Sequence, residues 1–165
     1  MGGICGLTDK DRADLKLEMW KKTIDVQQHF NQLGLQLRNF AITLLVAVFG
    51  VIAVTQNSHI RPQILGITAS LASWLLLGAL LGWGSFYLMD RWWYHRLLVG
   101  AVEHGEFIED QLKADFPEIA LTKKISDASP FKLGSWNVHA RTRLTWFYGL
   151  IGGALIVVAV VMWNT

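Results

Sequence analysis

The stretch QILGITASLASWLLLGALLGWGSFYLM, from Gln63 to Met89, runs for 27 residues without an Asp, Glu, Lys, Arg or His. About 20 consecutive apolar residues in a helix match the hydrocarbon thickness of a bilayer, so this run points to a membrane span. FAITLLVAVFGVIAV, Phe40 to Val54, reaches spanning length by including Arg38, Asn39 and Thr55 to Asn57 at its ends. LTWFYGLIGGALIVVAVVMWNT, Leu144 to Thr165, is the third stretch of this kind. Composition agrees: 52% hydrophobic and 17% charged residues are too apolar and too sparsely charged for an ordinary soluble domain of 165 residues. The expected fold is an all-α integral membrane protein with three transmembrane helices, the first two extended into the cytoplasm as long amphipathic helices. Its parts are a cytoplasmic N-terminal amphipathic helix (1–38), a hairpin (39–89) with spans at 39–57 and 63–89, a cytoplasmic helix and loop (90–143), and the third span (144–165).

Charge distribution sets the expected orientation. Six of the 15 Lys and Arg residues precede the first span and eight lie between the second and third, leaving only Arg61 in the turn TQNSHIRP. The positive-inside rule therefore puts the N-terminus and residues 90–143 in the cytoplasm and the C-terminus on the periplasmic or extracellular side. All 13 acids fall on the same inner side, so recognition is expected there. Arg91, Trp92, Trp93, Trp146 and Trp163 occupy the span ends, where aromatic rings and snorkelling arginines anchor a helix at the interface.

Outside the spans, apolar residues repeat with coiled-coil spacing. Met19, Val26, Phe30, Leu33, Leu37 and Phe40 follow a three-four alternation with Thr23 in the vacant place. Asp9, Asp11 and Asp14 suit the start of that helix, and no proline interrupts the chain before Pro62. After the second span Tyr94, Leu98, Ala101, Gly105, Ile108 and Leu112 repeat the spacing until Pro117 ends the helix. Phe30, Leu33, Leu37 and the six residues from Tyr94 to Leu112 are thus candidate helix-packing or subunit contacts, and subunits of a symmetric ring would cover seams left open. Gln27, Gln28, His29, Asn31, Gln32 and Gln36 make a polar, nearly uncharged face that either lines a watery vestibule, binds a ligand, or is a solvated helix back.

Within the spans, Gly78 with Gly82 and Gly149 with Gly153 form two GxxxG pairs that permit close helix approach, although glycine is also simply common in membrane helices. Thr68, Ser70, Ser73 and Ser85 are the polar candidates for lining a pore, with hydrogen bonding to helix backbone as their other role. The absence of ionisable residues inside the spans argues against a proton- or ion-coupled transporter.

The chemistry-bearing residues do not assemble into a catalytic pattern. His95 and His104 are nine apart and point in opposite directions on a helix. The H-x-E of His104 to Glu106 lacks a cysteine partner motif, because Cys5 is the only cysteine. Three residues separate Arg91 from His95 and seven separate Arg96 from His104, neither of which matches the HEPN nuclease spacing. No catalytic, metal or cofactor site is expected, and no nucleic-acid partner. The first 20 residues do not read as a secretory signal, and Gly6 stands where a myristoylation motif carries Ser or Thr.

A charged helix leading into a membrane hairpin, followed by RWWYHRLLVGAVEHGEFIE, resembles small bacterial membrane proteins of the RipA-like octameric class over about residues 10–115. The layout is also similar to SLATT domains, two-span effector modules of bacterial conflict systems. The resemblance implies a homo-oligomeric ring, an octamer in that class, in the bacterial inner membrane, acting as a pore or membrane-perturbing assembly in antiviral (antiphage) defence. The chain departs from SLATT modules in its third span and from a HEPN-bearing octameric relative in its motif spacing. The competing expectation is a non-conducting scaffold that docks a soluble cytoplasmic partner.

Overall fold

Thr8 starts the first helix. Its hydroxyl accepts from the Asp11 N–H at 3.2 Å while its own N–H donates to the Asp11 carboxylate at 2.9 Å, a reciprocal cap that satisfies donors a helix start leaves open. From there α1 runs uninterrupted over Asp9–Thr55. At 1.5 Å per residue that is about 70 Å of helix, over twice what a hydrocarbon core accommodates. In this computed structural model the described residues are 8–55, 60–129, 131–133, 136–138 and 140–163, with main chain only at 131–133, 136–138, 140, 141 and 163. Cys5, the expected end of the first span at Asn57, the side chain of Trp163 and the last two residues lie outside that description.

The second apolar stretch is not helical from its start. Gln63–Ile64 (β1) and Ile67–Thr68 (β2) pair antiparallel around Leu65 and Gly66, whose φ values of 53° and 79° fit the two-residue turn that joins such strands. Helix α2 therefore begins at Leu71, not Gln63, and covers Leu71–Met89. Ser70 caps it by accepting from the Ser73 N–H at 3.2 Å. The remaining 19 residues still suffice for a span. A single π-helical turn, Asp90–Tyr94, leads directly into α3, His95–Leu112. Next come α4 (Leu121–Ala128), a second short hairpin, β3 (Phe131–Leu133) with β4 (Trp136–Val138), and α5 (Ala140–Trp163). Among the described residues, three helices are thus long and apolar enough to cross a membrane.

The chain forms two compact units. The apolar unit comprises Gly34–Trp93 and Ala140–Thr165. Its core joins Ala41 and Leu45 of α1 to Ala79 and Trp83 of α2 and to Leu144, Tyr148 and Leu155 of α5, with a second cluster of Ile52, Ala72 and Leu76. Small alanines at the contacts let the helix backbones approach, while Val46, Leu81, Leu150 and Val157 face outward, each more than 60% exposed. The other unit comprises Met1–Leu33 and Tyr94–His139. There α3 buries Gly105, Ile108 and Leu112 and half-buries Leu98 and Ala101, as the π turn before it does Tyr94.

Candidate functional site

Each unit is centred on a buried carboxylate, and neither carboxylate was singled out by spacing or motif. In the apolar unit it is Asp90, the first residue of the π turn, 1% exposed. Arg38 of α1 donates to it from Nε at 2.7 Å and Nη2 at 3.3 Å, and the Tyr148 hydroxyl of α5 donates at 3.1 Å. One carboxylate thereby ties three helices together. A π turn widens the helix locally and commonly marks a functional position. Gly34, one turn before Arg38, leaves room for the pair: a Cβ there would lie 3.7 Å from the guanidinium and 3.8 Å from the Asp90 carboxylate. An anion shielded from solvent and already accepting three hydrogen bonds acts as a clasp. It has little capacity left for a substrate proton.

Beside the clasp stands an aromatic stack. Trp83 lies 4.9 Å from the Tyr148 ring and 5.8 Å from Phe147, and Tyr87 lies 5.4 Å from Tyr148. The Trp83 indole N–H donates to the Tyr148 carbonyl at 2.9 Å, so its one polar atom is satisfied inside an apolar core.

In the other unit the buried anion is Glu109 of α3, 3% exposed. Helix α4 begins after Ala120, which has no side chain able to cap it. Glu109 caps it from α3, accepting from the N–H groups of Thr122 at 2.7 Å and Lys123 at 3.0 Å, and also from the Trp20 indole at 3.0 Å. Burial pushes its pKa up, but the hydrogen bonds from Thr122, Trp20 and Lys123 outweigh this and hold it below the ordinary glutamate value. Gln27 donates to the Ala101 carbonyl at 3.1 Å and to the Thr122 hydroxyl at 3.4 Å. Gln27 therefore points inward, unlike a residue of a solvated helix back. Gly105 faces both side chains: a Cβ there would collide with the Gln27 amide and stand 2.9 Å from the Thr122 hydroxyl.

The residues expected from sequence fall in several places. Phe30, Leu33 and Leu37 are half-buried, whereas Met19 at 53% and Phe40 at 61% exposure are not covered within the chain. Gly78, Gly82, Gly149 and Gly153 have no other side chain within 4 Å of where a Cβ would stand. The glycine packed under Trp83 is instead Gly152, at 3.5 Å. Gly78 and Gly82 line a shallow apolar groove with Ala41, Leu45, Trp74 and Phe86.

The polar candidates are engaged locally. Thr68 lies on β2, off any helix. The Ser70 and Ser73 hydroxyls share a 2.8 Å hydrogen bond, and Ser85 donates to the Leu81 carbonyl at 2.9 Å. Trp92 and Trp93 are each 67% exposed, Trp146 is 55% exposed, and Arg91 is half-buried. His104 stacks on Phe107 with ring centres 6.4 Å apart.

No signal within α3 separates Glu109 from its acidic neighbours, since its partners lie 89 and 13 residues away. Asp90 carried a faint one, as the first charge after the 28 uncharged residues that follow Arg61. No known family model, curated protein or solved structure matches the chain.

Proposed function

We propose that this chain is a multi-pass protein of the bacterial inner membrane that assembles into a homo-oligomer and perturbs or perforates the bilayer. The carrying observation is the face of α1 that its own unit leaves uncovered. Leu15, Met19 and Val26 lie within about 40° of one another on the helix and are 47%, 53% and 36% exposed. They belong to the unit that contains the charged segments and precede the apolar stretch of α1 by more than a dozen residues. A stripe with four- and seven-residue steps fits the equivalent stripe of another copy, and closed rings are a common way to bury it.

Membrane residence is supported by the three span-length helices and by the outward apolar residues of their unit. Orientation is supported by the charge asymmetry, and a shared side for the two charged segments by their packing. The charge asymmetry puts residues 8–38 and 90–143 on the inner side. The grouping of residues 8–33 with 94–138 in one unit supports a shared side for those segments, whichever side it is. The resemblance to octameric and SLATT-like proteins extends the proposal to a defence effector whose assembly damages the membrane.

One observation favours a second reading. Ser70, Ser73 and Ser85 spend hydroxyl hydrogen bonds on their own helix, which leaves α2 a poor wall for an aqueous pore and suits a non-conducting scaffold with a soluble partner. The two readings separate in one experiment on the full chain, comparing wild type with Met19→Gln/Val26→Gln. The pore reading expects an oligomer in mild detergent and dye release from liposomes, both reduced by the substitutions. An oligomer that releases no dye supports the scaffold, and a monomer that releases none overturns the first reading.

A further inference from the structure

Helix α4 is amphipathic in the reverse sense. The side packed against its unit is polar: Thr122 is 1% exposed and bonded to Gln27 and Glu109, and Ser126 is half-buried. Its apolar residues point outward, with Leu121 at 44% and Ile125 at 58% exposure and Ala128 exposed beside them. At 100° per residue these three lie within about 60° of arc, with Lys124 at one edge. Lys123 and Lys124 are both exposed. A soluble helix normally turns its apolar side inward.

We infer that α4 is an interfacial helix, its Leu121–Ile125–Ala128 face seated in the anionic inner surface of the bilayer and Lys124, at the edge of that face, on the lipid headgroups. Three features favour lipid over protein as the occupant. The exposed parts of Leu121 and Ile125 amount to area on the order of 200 Å², against roughly 800 Å² per partner in a stable protein interface. A small contact suffices for a membrane, because α5 starts 12 residues after α4 ends and a tether of that length limits their separation to about 40 Å. Lys124, about 40° beyond Ala128 around the helix, borders the apolar face and complements an anionic leaflet, where one lysine adds about fivefold to binding. The inference stands apart from oligomer formation, since it concerns a different helix face.

The test uses the full chain with Cys5→Ser and Ala128→Cys, spin-labelled at the new thiol and reconstituted into liposomes of phosphatidylcholine alone or with phosphatidylglycerol. Shielding of the label from a water-soluble nickel relaxant should rise severalfold with phosphatidylglycerol. Lys124→Gln should remove most of that rise while leaving helicity unchanged. Equal exposure in both lipids overturns the inference. Equal shielding in both, with dipolar broadening between labels, also overturns it and assigns the face to a second copy.

Discussion

Removing either partner of the Arg38–Asp90 pair breaks the same ion pair, yet the two losses differ because the partners are buried differently. The Arg38 side chain is 33% exposed and Asp90 1% exposed. In Arg38→Met the carboxylate stays buried with only the Tyr148 hydroxyl as a donor, a position that costs about 3–5 kcal/mol in buried pairs. In Asp90→Asn the arginine can extend its head toward water and the new amide oxygen still accepts from Tyr148, so the loss is about 1–2 kcal/mol, close to one charged hydrogen bond. The double variant Arg38→Met/Asp90→Asn removes the stranded charge and should be more stable than Arg38→Met alone. Detergent-solubilised protein titrated with SDS, followed by helicity and tryptophan fluorescence, gives the ranking. Equal losses for the two single variants, or strict additivity in the double, would refute the clasp as described.

Two glycines of α3 should respond in opposite directions to alanine. Gly100→Ala meets nothing within 4 Å and should stabilise by about 1 kcal/mol through helix propensity, whereas Gly105→Ala drives into Gln27 and Thr122 and should destabilise by about 1–2 kcal/mol net, with Gln27→Ala restoring part; thermal unfolding reads both. The lowered Glu109 pKa makes its contribution complete above the ordinary value of 4.5 and lost as pH falls through the lowered one. Amide-exchange protection of Thr122 and Lys123 should therefore collapse in acid in the wild type and be weak at every pH in Glu109→Gln. Trp83→Phe deletes the hydrogen bond to the Tyr148 carbonyl and should cost about 1–2 kcal/mol in the SDS titration.

The three long apolar helices were legible because hydrophobic content averaged over some 20 residues is a local property. The start of α2 was not, because Leu65 and Gly66 adopt positive φ inside an uncharged run and hydropathy is blind to that turn. The seam of α3 was legible for a similar local reason: Gly105, Ile108 and Leu112 recur at helical spacing and are buried. On α1 the repeat included Thr23, which is buried, but also Met19 and Val26, which are exposed, while it passed over the inward Trp20 and Gln27. Polar side chains face the interior there because α3 and α4 offer them a backbone carbonyl, a hydroxyl and a carboxylate. Arg38, Asp90 and Tyr148 were likewise illegible as a group, since 52 and 58 residues separate the partners and no repeat connects them.

Electron microscopy of the full chain in mild detergent tests the central proposal most directly. The account predicts a closed ring in which α1 helices of neighbouring copies touch through Leu15, Met19 and Val26. A monomeric particle with that stripe open to solvent would contradict it.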